Sequence, residues 1–235
     1  MKSRQEIKAL AKEAMRMQRG TAILLILVYL LLSVAVAIVD LLITATLGML
    51  VSWIVYIAAM SVVLVVGVNM YGEYIKIFKQ EKADVGELFS GLKINFLRKL
   101  GGMAWMLLWY FLWSLLFIIP GIIKLMSYFF IEFILVDCPN VTARQALKVS
   151  MRITQGHKMK IFIFTLSWIG WFLLGMLTLG ILLVVYVGPY FATATAGLYI
   201  EIRDEALATG RITREELGWD AEAASASGAD IGFEN

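Results

Sequence analysis

The 235-residue sequence holds one histidine, His157, one cysteine, Cys138, and three prolines. A lone cysteine excludes an intramolecular disulfide. One cysteine with one histidine excludes a Cys/His metal centre, which needs a cluster of such ligands. No histidine lies near Cys138 in sequence to activate it, so it reads as an unreactive thiol at a helix end. No Walker loop, nucleophile elbow, HExxH pair or dinucleotide fingerprint occurs. Catalysis would have to run on carboxylates alone, so we expect neither an enzyme nor a cofactor. Charge is scarce as well: 17% of residues are charged and 60% are hydrophobic, with a mean hydropathy of +0.80. Soluble domains carry about a quarter charged residues and about half apolar ones.

The apolar excess is gathered into runs of about twenty residues between short charged stretches, which is the pattern of bilayer-crossing helices. Six spans are predicted, at 21–39, 51–75, 101–119, 121–137, 161–179 and 181–202. The expected fold is all-α, a polytopic membrane helix bundle with additional cytoplasmic interfacial amphipathic helices. Residues 1–203 form the six-span domain, and 204–235 form an acidic, disordered cytoplasmic tail. From Asp204 onward eight acids face two bases, so the tail carries about −6 and the remainder about +9. Asp40 marks the outer interface after the first span. Residues 41–50 are apolar but contain Thr44, Thr46 and Gly48. They read equally as an extension of the first helix, an outer loop or an interfacial segment.

Three polar segments carry helix-start chemistry. Ser3 and Glu6 have capping-box spacing, as do Thr142 and Gln145, and Asp84 and Glu87 have N-cap and N3 spacing. After Ser3, Ile7, Leu10, Ala14 and Met17 form one apolar face, with Lys8, Lys12, Arg16 and Arg19 elsewhere. This is the pattern of a helix lying on a membrane surface. The long apolar run that follows lacks a small-residue cleavage site, so the start does not read as a signal peptide.

Six spans make a charge prediction, because Lys and Arg collect on the cytoplasmic side. With the N-terminus inside, 20 of the 21 fall in cytoplasmic segments, and Lys124 alone falls outside. The expected location is a bacterial cytoplasmic membrane, crossed several times, with both termini cytoplasmic.

Arg144, Lys148 and Arg152 stand four apart and share one helix face. With His157, Lys158 and Lys160 they are the candidate site for anionic lipid headgroups or an acidic membrane partner, and nucleic acid is not expected. The intramembrane polar candidates are Asn69, Glu73 and Glu132, since acids inside a membrane mark functional sites by default. An interfacial structural role competes with that reading. Gly188-Pro189 interrupts the sixth span, and broken helices line transporter sites. Pro120-Gly121 reads as an outer turn. Trp105, Trp109 and Trp113 recur every fourth residue, as a lipid-facing or packing stripe or as a ligand platform. Ala192/Ala196 and Thr193/Gly197 have the spacing of close helix packing, within one chain or in a homo-oligomer.

Several short stretches together resemble a bacterial family of uncharacterised multi-pass membrane proteins, known as domain of unknown function 975. They are Leu88-Phe89-Ser90-Gly91, Ile118-Ile119-Pro120-Gly121-Ile122-Ile123-Lys124, Ser127-Tyr128, Ala146-Leu147-Lys148, Gly156-His157-Lys158, Trp168-Ile169-Gly170-Trp171, Leu177-Thr178-Leu179-Gly180 and Pro189-Tyr190. The resemblance runs from about Leu88 to Tyr199 and more loosely through the N-terminal half. It implies a membrane protein and no particular activity. The function expected from the residues is non-enzymatic: organisation of lipid or a membrane partner through a basic cytoplasmic face. The alternative is a small transporter or channel built on Glu132, Glu73 and the Gly188-Pro189 break.

Overall fold

Capping chemistry starts the first helix where the sequence places it. In a computed structural model describing residues 2–93, 95–116 and 118–219, Ser3 Oγ accepts from the Glu6 amide at 3.2 Å. Glu6 answers by accepting from the Ser3 amide at 2.6 Å. Helix α1 runs Arg4–Met17 and buries Ile7, Ala11, Ala14 and Met15. Two long apolar helices follow, α2 (Arg19–Leu47) and α3 (Met49–Phe78). Gly48 separates them at φ +86°, a left-handed angle that glycine adopts without strain. Residues 41–47 therefore extend the first helix, and 49–50 open the next one.

The remaining elements are α4 (Glu87–Lys93), α5 (Phe96–Leu116), α6 (Ile118–Ser127), α7 (Ile131–Asp137), α8 (Ala143–Ile153), α9 (Lys158–Leu166), α10 (Ile169–Leu177), a π-helical turn (Leu183–Val187) and α11 (Gly188–Ala208). The described residues contain no strand. Among the described residues four stretches are long and apolar enough to cross a membrane: Arg19–Leu47, Met49–Phe78, Lys158–Leu177 and Leu183–Ala208.

The third and fourth expected spans take another form. The third is α5, whose first turn carries Arg98 and Lys99 and so lowers its hydropathy. The fourth is not one helix. It is divided into α6 and α7, of 10 and 7 residues, about 15 and 10 Å long at 1.5 Å per residue. The break falls at Tyr128–Phe130, where Phe130 joins an aromatic cluster with Phe133 and Tyr199 at ring distances of 6.2 and 5.6 Å. Pro120 does not end a helix. It lies in the first turn of α6, where a missing N–H costs nothing.

The described residues sort into two compact units, Lys2–Leu100 with Thr165–Leu198, and Gly101–Phe164 with the chain from Tyr199 onward. In the first, α2 and α3 pack along each other, and the Tyr74 hydroxyl donates to the Ala22 carbonyl at 2.9 Å. The Gln18 amide clamps the loop after α3, donating to the Glu81 carbonyl and accepting from the Ala83 amide. Lys8 lies 4.4 Å from the centre of the Trp168 ring, and Tyr190 donates to the Lys8 carbonyl at 3.0 Å. A Cβ at Gly197 would meet Phe78 at 2.2 Å, so this small residue serves packing within the chain.

In the second unit, α5 runs antiparallel to the α6–α7 stretch. The place of a Cβ on Gly121 is filled by Ser114, and that on Gly102 by Leu135. Helix α8 starts with the expected capping box and is held to α6 by Ser150 and Thr154. Both hydroxyls donate to the Ser127 carbonyl, at 2.9 and 3.3 Å. Order continues beyond the predicted boundary at residue 203. Helix α11 reaches Ala208, Ile212 and Leu217 are buried, and Arg203 donates to Asp137 at 2.6 Å. The expected disorder of 204–235 therefore does not hold for 204–219. Residues 220–235 lie outside the described residues.

Candidate functional site

The basic stripe on α8 separates into two environments within the second unit. Its N-terminal half faces aromatics. The Arg144 guanidinium lies 4.9 Å from the centre of the Trp105 ring, and Lys148 stands one turn further along. Its C-terminal half faces acids. Arg152 pairs with Glu216, and the His157 ring nitrogen Nε2 lies 3.3 Å from Glu205 and 3.0 Å from Arg211. Burial, partly offset by Glu205, holds the His157 pKa below its usual value, and Arg211 and Lys160 push it the same way. A neutral ring is what an Arg211 N–H pointing at Nε2 requires. Lys158 and Lys160 are half-buried at the start of α9.

Arg144 and Lys148 open onto a cleft of about 460 Å³ lined by Trp105, Trp109, Trp113, Lys124, Tyr128, Arg144, Leu147, Lys148 and Met151. Its size is that of a small-molecule site. The three tryptophans form a ladder on α5, with Trp105 and Trp109 edge to face at 6.2 Å. Trp105 and Trp113 are eight residues apart, so the ladder is about 12 Å long at 1.5 Å per residue. A cation sits at each end: Arg144 at Trp105, and Lys124 at 4.8 Å from Trp113. Lys124 thus shares a cleft with Arg144 and Lys148, although the charge pattern had set it apart from every other cation.

Among the described residues three cations line this cleft and no carboxylate does. Like charges gathered over low-dielectric walls make a positive potential that an anion relieves. Cation–π contact orients Arg144 and Lys124 but leaves their charge uncompensated. The arrangement suits an anionic group with an apolar body. The described residues contain no group of His, Cys, Asp and Glu placed to hold a metal.

Residues 118–206 match the family described as protein of unknown function (DUF975). The match covers 89 of the 235 residues. No curated protein and no solved structure matches the chain. The DUF975 stretch supplies every cation of the cleft, Lys124, Arg144 and Lys148, while the tryptophan ladder precedes it.

The intramembrane candidates fall elsewhere. Asn69 and Glu73, on α3, hold the following loop in place. The Asn69 amide donates to the Leu88 carbonyl at 2.8 Å and accepts from Lys99 at 2.5 Å. Glu73 accepts from Lys76 at 2.8 Å and from the Asp84 amide at 2.9 Å, so both its oxygens are engaged. Asp84 serves a turn rather than an N-cap: its carboxylate accepts from the Gly86 amide at 2.8 Å. Glu132 is half-buried in the first turn of α7. Gly188 and Pro189 open α11 directly after the π-helical turn, and a Cβ at Gly188 would meet Ile26 and the Leu183 carbonyl, both at 2.7 Å.

Sequence spacing placed the three tryptophans on one face but gave no sign of what covers it. Lys124, Tyr128 and Met151 reach the ladder only because α6 and α8 pack beside α5. No local signal marks them as site residues.

Proposed function

We propose that this chain is a non-enzymatic, multi-pass membrane protein that binds anionic lipid in the tryptophan-lined cleft. Phosphate is held by Arg144 and Lys148, apolar chain runs along Trp105, Trp109 and Trp113, and Lys124 stands at the far end of the ladder. The carrying observation is a membrane-protein cleft with three cations, three tryptophans and no lining acid among the described residues. The charge pattern supports both termini in the cytoplasm of a bacterial cell, with the cleft serving lipid of the cytoplasmic membrane. In this reading α5 and the antiparallel α6–α7 stretch add a third membrane-inserted pair to the four long helices, giving six segments. Lipid is the preferred partner over an acidic protein segment because the walls are largely aromatic and aliphatic.

Each basic residue near a membrane surface contributes roughly 1 kcal/mol toward anionic lipid, so Arg144→Glu with Lys148→Glu removes about 2 kcal/mol, some thirtyfold, before repulsion is counted. The test is titration of the detergent-solubilised protein with phosphatidylglycerol, read by native mass spectrometry. Unchanged retention in the double variant refutes the proposal.

A transporter reading draws on one observation, the π-helical turn before Gly188-Pro189, since such turns often accompany function. Proteoliposome flux that is lost in Pro189→Ala, with lipid retention intact, would favour it. The full occupation of Glu73 weighs on the other side.

A further inference from the structure

Asp40 is the sole charged residue between Arg19 and Glu73, a stretch that holds no lysine, arginine or histidine. It lies in α2, half-buried, and no cation pairs with it among the described residues. A carboxylate in so apolar a setting calls for a counter-charge.

Its surroundings are ordered. Ser52, on α3 and only 2% exposed, donates to the Asp40 carboxylate oxygen Oδ1 and lies 3.2 Å from the Asp40 carbonyl. Thr44 donates to the Ser52 hydroxyl at 2.7 Å, which commits the Ser52 proton toward Asp40. This chain fixes Oδ1 and leaves Oδ2 without a partner among the described residues. Beside it opens a cleft of about 270 Å³ lined by Asp40, Thr44, Met49, Ser52, Trp53 and Tyr56.

The depth of the cleft follows from helix length. Asp40 is 21 residues beyond Arg19, and Tyr56 is 20 residues before Lys76, each about 30 Å at 1.5 Å per residue, the thickness of the hydrocarbon core. Both therefore fall at the headgroup level opposite the basic ends of the hairpin, where Trp and Tyr collect.

We infer that this cleft binds an organic ammonium group, with Asp40 as counter-ion and Trp53 and Tyr56 as aromatic walls. A carboxylate beside aromatic faces recognises substituted ammonium. A hard metal ion fits poorly, because calcium takes six to eight oxygens and the cleft offers one carboxylate and three hydroxyls. The ammonium is carried by a lipid such as phosphatidylethanolamine or by a soluble amine. Headgroup depth favours the lipid.

The test is retention of phosphatidylethanolamine by the detergent-solubilised full chain, read by native mass spectrometry, with ethanolammonium binding measured separately by calorimetry. Asp40→Asn is expected to lower the affinity of whichever source binds by about tenfold, and Asp40→Glu to restore most of it. Trp53→Leu, which keeps the charge, weakens binding by a smaller factor. Phosphatidylglycerol retention stays at the wild-type level in all three variants, which shows that they are folded and separates this cleft from the cationic one. Binding of ethanolammonium alone, dependent on Asp40, supports the site and makes its ligand a soluble amine. Equal binding by wild type and Asp40→Asn, or binding of neither probe, overturns the inference.

Discussion

Gly91→Ala is the sharpest structural test of how the loop after α3 is held. Gly91 lies in α4, where alanine is the better helix former by about 1 kcal/mol, so propensity alone predicts a gain. Packing predicts the reverse. The added Cβ would meet the Asn69 side chain at 2.6, 2.7 and 2.8 Å, below any contact that real Cβ atoms make. Asn69 has little room to yield, since its amide donates to the Leu88 carbonyl and accepts from Lys99. Lys99 is 6% exposed, and losing Asn69 leaves it the Gly91 carbonyl at 3.2 Å. Overpacking costs about 1–3 kcal/mol, and a lost hydrogen bond to a charged group about 1.5–3 kcal/mol. The net after the helix gain is a loss of about 1.5–5 kcal/mol. The assay is thermal unfolding of the solubilised protein, with Gly170→Ala as control because nothing lies within 4 Å of its would-be Cβ. Gly91→Ala at or above wild-type stability, matching the control, would refute the reasoning.

Two other predictions concern charge. Asp137→Asn leaves the buried Arg203 with Asp204 as its remaining carboxylate partner and should cost about 1.5–3 kcal/mol, whereas Glu216→Gln, whose exposed pair with Arg152 is screened by water, should cost less than about 1 kcal/mol in the same unfolding assay. His157 has a lowered folded-state pKa, so the unfolded chain binds more protons as pH falls through the usual histidine range. Its contribution to stability is therefore greatest above that range and declines on acidification until the folded pKa is passed. His157→Gln should flatten the fall in melting temperature between neutral and mildly acidic pH, and an unchanged slope would contradict the assigned direction.

Local chemistry was the most legible part of the sequence. Ser3 with Glu6, and Thr142 with Gln145, form the capping boxes their spacing announces, because such bonds depend only on residues three apart. Asp84 with Glu87 has similar spacing and is used differently: Glu73 takes the Asp84 amide, a contact 11 residues away. Hydropathy located the long helices but read 121–137 as one stretch, which the chain divides into α6 and α7 on either side of Tyr128–Phe130. Arg144, Lys148 and Arg152 share a helix face, as spacing requires. Their division between tryptophans and Glu216 depends on chain folding over distances up to 64 residues. Composition made the end of the chain look unstructured, yet Ile212 and Leu217 are buried.

The central claim is that anionic lipid occupies the cleft over the tryptophan ladder. Replacing Trp53, Trp168, Trp171 and Trp219 with phenylalanine leaves fluorescence from Trp105, Trp109 and Trp113 alone. In nanodiscs of equal composition, phosphatidylglycerol with brominated chains should quench this emission more strongly than brominated phosphatidylcholine. The excess should vanish when Lys124, Arg144 and Lys148 are changed to glutamine. Equal quenching by the two lipids in the parent protein would contradict the account.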